Sequence, residues 1–170
     1  MKRVLLRAAP AALSCTAAAG GVDVAAYTRR DQFTDLKISP DGRYLAATIP
    51  MDDRSVLAVI ERGTNKLTGT FKMPRDNFIA DFEWVGPERV VLSAAEKFGS
   101  LDEPQYTGEL FAMNADGGKA EMLVGYRTQD GGLGTTIKPK KGNDKIWAYL
   151  IPTPVSDGRS ALIAAQPYSS

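Results

Sequence analysis

Histidine is absent from all 170 residues. A Ser-His-Asp or Cys-His triad therefore cannot be completed within this chain. Histidine-based metal sites are excluded as well. Cysteine occurs once, at Cys15, so no intrachain disulfide and no thiolate cluster for zinc or iron–sulfur can form. No run of about 20 apolar residues occurs, and no transmembrane helix is expected. A charge surplus is missing too: 21 Lys and Arg stand against 20 Asp and Glu, for a net charge of +1. That balance lacks the footprint of a nucleic-acid binder, and no long like-charge run marks a tail. No cofactor is expected.

What is present is turn chemistry. The chain holds 16 Gly and 10 Pro, in keeping with turn-rich β structure, and is long enough for one domain with a sizeable core. Ser39-Pro40-Asp41-Gly42 is the clearest turn. Pro at the second place sets φ, Asp bonds its own backbone, and Gly follows at the fourth place of a type I turn. Leu36-Lys37-Ile38 precedes it and Tyr44-Leu45-Ala46-Ala47-Thr48-Ile49 follows, so the unit reads as a β-hairpin. Weaker echoes lie at Gly86-Pro87-Glu88-Arg89 and at Ser156-Asp157-Gly158-Arg159. The turn markers are Pro40, Asp41, Gly42, Pro87, Asp157 and Gly158.

Residues 1–19 read as a secretory signal peptide, with positive charge at Lys2 and Arg3, small apolar residues from Ala8 onward, and Ala17-Ala18-Ala19 before Gly20. The alternative is an unstructured or mis-started N-terminus. Ala12-Leu13-Ser14-Cys15 partly matches a bacterial lipoprotein box, with alanine where leucine is usual. Cys15 is thus either a lipidation site or a small residue in a removed leader. The protein is expected to be exported, periplasmic or secreted, with a lipid anchor as one option.

Residues 20–32 read as a linker, and almost everything after them as short strands. A first unit, about 33–73, has strands at 34–38, 44–49, 56–60 and 67–71, the last two joined by Gly63-Thr64-Asn65-Lys66. A second, about 78–124, has strands at 80–85, 90–95, 109–114 and 120–124. Its long inner loop is 96–108, and Asp116-Gly117-Gly118 makes its last turn. Arg43 and Arg89 hold matching places 46 residues apart, and Asn65 and Asp116 match loosely 51 apart. That spacing is near the period of a four-stranded propeller blade. A third unit, about 136–170, shows two strands, at 146–151 and 161–165. The chain is therefore expected to be all-β, an incomplete β-propeller of about two and a half four-stranded antiparallel blades. On that count it reads as the front end of a longer protein. A free-standing β-sandwich is the competing architecture.

Several motifs invite chemistry and are better read as structure. Asp52-Asp53-Arg54 is a solvated loop or a cluster facing a substrate or another domain. Glu96, Asp102 and Glu103 carry hard-cation ligands, but their spacing fits no calcium loop. Gly131-Gly132-Leu133-Gly134-Thr135-Thr136 lacks the Lys-Ser/Thr ending of a P-loop. Lys138, Lys140, Lys141 and Lys145 form a basic loop without interleaved aromatics. Trp84 and Trp147 are expected to pack between blades. Strand alternation puts Phe82 with Trp84, and Leu36 with Ile38, on faces expected to be buried.

The run Phe33-Thr34-Asp35-Leu36-Lys37-Ile38-Ser39-Pro40-Asp41-Gly42-Arg43-Tyr44-Leu45-Ala46, behind a leader and linker, resembles the start of the propeller in exported bacterial members of the prolyl oligopeptidase family. These are serine peptidases of the dipeptidyl and acylaminoacyl type. The resemblance implies a propeller that gates peptide access to a C-terminal α/β-hydrolase domain, whose serine sits in a G-x-S-x-G elbow. No serine in this chain has glycine two places before and two after, and none begins a Ser-x-x-Lys pair. No catalytic residue is carried over. The partners implied are the missing hydrolase domain, the remaining blades and the parent's peptide substrates. Tol-system propellers carry similar hairpins, so a periplasmic protein-binding module is the alternative.

Overall fold

A computed structural model of the protein describes residues 32–99, 103–125, 146–152 and 160–167. All belong to Asp31–Ser170, one of the two units into which the chain divides. The expectations for the leader, Cys15, Asp102, the Gly131 and Lys138 segments and the Asp157-Gly158 turn lie outside the described residues. Among the described residues there are ten strands and no helix, so none is long and apolar enough to cross a membrane.

The strands follow the runs of β-branched and small apolar residues. They are β1 (Asp35–Ile38), β2 (Tyr44–Pro50), β3 (Ser55–Glu61), β4 (Lys66–Lys72), β5 (Asn77–Trp84), β6 (Arg89–Glu96), β7 (Gln105–Asn114), β8 (Glu121–Val124), β9 (Ile146–Leu150) and β10 (Ile163–Pro167). They form two four-stranded sheets, β1-β2-β3-β4 and β5-β6-β7-β8, and a two-stranded sheet of β9 and β10. Every pairing is antiparallel and joins strands consecutive in the chain. Short connections between neighbours explain that order, because a tight turn delivers the next strand antiparallel.

The first turn shows its chemistry in full. Gly42 N donates to Ser39 O at 2.8 Å, and Gly42 has φ +72°. The Ser39 hydroxyl donates to Asp41 Oδ1 at 2.7 Å and accepts from Tyr44 N at 2.9 Å. Asp41 Oδ1 also accepts from Arg43 N at 3.1 Å. The Ser39 bond, followed by the Arg43 amide, holds the Asp41 carboxyl below its ordinary range. Arg43, at the end of this turn, reaches Glu61 on β3 and Glu88 in the β5–β6 turn. Arg89, in the matching place of the second sheet, reaches Asn114 on β7 and Glu121 on β8. Each arginine therefore ties down the same corner of its own sheet, and Arg43 also reaches the turn of the second sheet.

The sheets stack face to face. The main core lies between the first and second, with Leu57, Val59 and Phe71 on one side and Phe82, Leu92, Phe111 and Met113 on the other. The Phe71 and Phe111 rings meet at 5.5 Å, tilted by 54°, and Tyr44 stacks on Trp84 at 6.2 Å. Trp84 thus packs between sheets. Two smaller clusters join the second sheet to β9 and β10: Val85, Val91 and Ala112 with Leu150, and Leu110, Val124 and Ala148 with Ile146 and Ile163. β5 lies against β3 and β1, and β9 lies chiefly against β7, with β5, β6 and β8 also beside it.

Three expectations need correction. Leu36 and Ile38 are 54% and 51% exposed, whereas Phe82 and Trp84 are buried. Alternation placed each pair on one face, but the Leu36 face points away from the second sheet, where Ala47 and Ala58 are buried and the larger Leu36 and Ile38 side chains are not. Strand β7 begins at Gln105, not at 109, so the inner connection spans 97–104 rather than 96–108. Its first residues are polar and read as loop, yet they pair Ala95 with Tyr106 and Glu96 with Gln105 beyond a bulge. Strand β10 lies at 163–167 rather than 161–165, because Gln166 and Pro167 continue the pairing with Trp147 and Ile146.

Glycine sets the approach of the first two sheets. A Cβ on Gly69 would lie 2.6 Å from Gly117 N and 2.8 Å from Ala115 O, both across the interface. Thr68 Oγ1 donates to the same Ala115 O at 2.7 Å. We expect Gly69→Ala to force the sheets apart and cost about 1–3 kcal/mol, as overpacking does. Gly63→Ala, where a Cβ meets nothing within 4 Å, should stay within about 0.5 kcal/mol of wild type. Urea unfolding followed by tryptophan fluorescence checks the contrast, and equal effects at the two sites would refute it.

Candidate functional site

Antiparallel alternation collects the β2–β3, β4–β5 and β6–β7 connections at one end of the stack. The Asp52-Asp53-Arg54 loop lies there. Arg54 grips Asp53 with two bonds, Nε to Oδ1 at 2.9 Å and Nη2 to Oδ2 at 2.6 Å. Arg75, from the link between sheets, adds Nε to Oδ2 at 3.3 Å. Arg54 Nη1 also donates to Met73 O at 3.3 Å. The backbones are laced as well: Asp76 N donates to Asp53 O at 2.7 Å, and Lys97 N to Asp76 O at 2.8 Å. Asp76 sits at φ +60°, a left-handed turn that Asp tolerates.

These three connections border a cleft of about 400 Å³ lined by Asp52, Asp53, Asp76, Phe78, Lys97 and Phe98, with Gly99 at its rim. Phe98 is 75% exposed beside it. The Arg54 bonds, opposed in part by burial and reinforced by the Arg54 and Arg75 charges, hold the Asp53 carboxyl down to about 2. It is therefore a fixed anion at neutral pH, already paired, and no candidate for general acid or base work. The arrangement offers charges of both signs beside an aromatic ring, which suits docking of a surface or a peptide.

A second cluster ties the inner strands together. Lys37 Nζ lies 2.8 Å from Asp81 Oδ1, 2.8 Å from Glu83 Oε1, 2.7 Å from Phe82 O and 3.6 Å from Asp35 Oδ2. It also sits 5.1 Å from the centre of the Phe82 ring. Trp84 Nε1 returns a bond to Lys37 O at 3.1 Å. Burial opposes the ammonium charge, but the hydrogen bonds and charges of Asp81 and Glu83 outweigh it and raise the Lys37 pKa. Lys37, Asp81 and Glu83 escaped the sequence reading. The one signal was a pair of acids alternating with Phe82 and Trp84, and its meaning depends on a strand 44 residues away. Glu109 was missed too. It is buried, and its Oε2 accepts from Thr107 Oγ1 at 3.2 Å.

The other described motif residues are not brought together into a site. Glu96 ends β6 and pairs through its backbone with Asn77 and Gln105, and Glu103 lies exposed before β7. Among the described residues no group of three His, Cys, Asp or Glu is arranged to hold a metal ion. Trp147 backs onto Gly108 of β7, where a glycine Cβ would fall 2.9 Å from the Trp147 Cα. It is 38% exposed.

No protein-family model matches the chain, and no curated protein matches it. Among solved structures it is similar to a "putative conserved lipoprotein" from Clostridium novyi NT, at 13% identity and a TM-score of 0.47. That likeness covers 82% of this chain and 88% of the other. At that level it carries no inference about this chain.

Two measurements test the clusters. A depressed carboxylate pKa adds stability that is present above the unfolded value of 3.8 and is lost as pH falls toward about 2. Asp53→Asn should therefore lower the thermal midpoint at pH 7, with the gap to wild type closing between about pH 4 and pH 2. A raised lysine pKa works the other way, its contribution present below the unfolded value and lost as pH rises through the folded one. Lys37→Met should cost about 1–2 kcal/mol at pH 7, and the difference should shrink in strong alkali. Melting curves across pH read both. A gap independent of pH would sink either assignment.

Proposed function

We propose that residues 33–170 are a stretch of β-propeller, with two blades complete and a third begun, from an exported serine peptidase of the prolyl oligopeptidase type. The catalytic domain of that parent lies outside these 170 residues. The propeller's task is to gate peptide access to it. One observation carries the architectural half of the reading: two four-stranded antiparallel sheets and a two-stranded one stack in chain order, β5 against β3 and β1, and β9 chiefly against β7. Blades of a propeller are related in that way. The resemblance of residues 33–46 supports the family. The cleft at the loop end, with Asp53 held by Arg54 and Arg75, supports a docking face there.

The absence of histidine and of a G-x-S-x-G elbow makes this segment non-catalytic by itself. The purified chain should release no product from peptide anilides or simple esters above the buffer blank, and measurable turnover would overturn that. Reading the gene beyond these codons tests the parentage. Further blades, then a G-x-S-x-G elbow and a later histidine, support the peptidase. Further blades without an elbow favour the Tol-like binding module instead.

A further inference from the structure

The cleft at the loop end holds two opposite charges that the fold leaves unmatched. Asp53 is already held by Arg54 and Arg75, and Asp52 has a contact of its own. Asp76 and Lys97 also line the cleft. Their backbones meet where the β5–β6 ladder ends: Asn77 pairs with Glu96, and one step on Lys97 N donates to Asp76 O at 2.8 Å. Opposite charges facing each other across two strands ordinarily attract and pair. Here, among the described residues, neither the Asp76 carboxylate nor the Lys97 ammonium makes an ion pair or a hydrogen bond. Asp76 acts on Arg54 only through its charge. Its left-handed backbone is tied to Asp53 O on one side and to Lys97 N on the other, so the backbone carrying that carboxylate is fixed. Two rings stand beside these charges: Phe78, half-buried, and Phe98, the most exposed large apolar side chain among the described residues.

We infer that this cleft takes a small zwitterion, a free amino acid or a dipeptide with a large apolar side chain. Its ammonium sits on the Asp76 carboxylate, its carboxylate on the Lys97 ammonium, and its side chain against Phe78 and Phe98. A lone cation or a lone anion would match one charge and leave the other bare beside it. A metal ion is not the occupant, because among the described residues no set of three acidic groups is arranged to hold one. The volume of about 400 Å³ is that of a small-molecule site. This assignment rests on the docking reading of the cleft but not on the peptidase parent.

Amide-resolved NMR of the 170-residue chain, titrated with phenylalanine and with glycyl-phenylalanine, tests it. The expected result is a saturable shift of the Asp76, Lys97 and Phe98 amides, with a Kd of about 1 mM or below, as suits so small a ligand. The tighter of the two probes identifies amino acid or dipeptide. Asp76→Asn and Lys97→Met should each weaken binding by about fivefold or more, as should removing the ligand's ammonium by acetylation or its carboxylate by amidation. Asn tolerates the left-handed backbone at 76, and well-dispersed amide spectra verify that both variants fold. No saturable shift with either probe overturns the inference, and so do one-charge analogues that bind as well as the zwitterion. If a longer peptide blocked at both ends shifts the same amides while the two zwitterions do not, only the zwitterion fails and the docking reading stands. No shift with any probe removes both.

Discussion

A sheet that is apolar on both faces must be covered twice, and this constraint organises the molecule. Strands β2 and β3 read Tyr-Leu-Ala-Ala-Thr-Ile-Pro and Ser-Val-Leu-Ala-Val-Ile-Glu, with little polar alternation. Burying one face against the second sheet removes Leu57, Val59 and Phe71 from water, each contributing roughly 1.5–3 kcal/mol. The second sheet has the same property. Its strand β6 is buried at six consecutive positions, from Val90 to Ala95, because another sheet lies on either side. A single sheet of this kind would leave apolar surface in water, and stacking a neighbouring sheet covers it.

Polar groups direct that stacking rather than drive it. Dispersion and burial would let two apolar sheets slide. The Lys37 ammonium, set among Asp81, Glu83 and the Phe82 carbonyl, and the Trp84 indole on the Lys37 carbonyl permit one position of β1 over β5. At the far corner Thr68 on Ala115, and Gly69 against Gly117, set the spacing. Arg43 joins the two hairpin ends through Glu88. At the loop end the Asp53 salt bridges hold the connection between sheets.

Local features were legible where a few neighbouring residues set the backbone. The turn at Pro40 and Gly42 and the strands on either side of it are short-range consequences of φ restriction and of apolar runs. Strand ends were less legible. Gln105 to Gly108 resembles a loop in composition, yet it joins the sheet because its backbone, not its side chains, completes the pairing with Ala95 and Glu96. The Lys37 cluster was invisible for a related reason. An exposed lysine and a latching lysine look alike until the partner strand is in place.

The order of amino acids by itself determined that the described segments are strands, where the Pro40 and Pro87 hairpins turn, and that no histidine-based triad can be completed within the chain. These follow from residue chemistry acting over a few positions, or from a residue type being absent altogether. Only the tertiary structure decided which of two equally apolar faces is covered. Leu36 and Ile38 match Phe82 and Trp84 in pattern, but one pair meets a neighbouring sheet and the other does not. Burial belongs to the pair of surfaces in contact, and a strand's own alternation cannot say whether its partner is there.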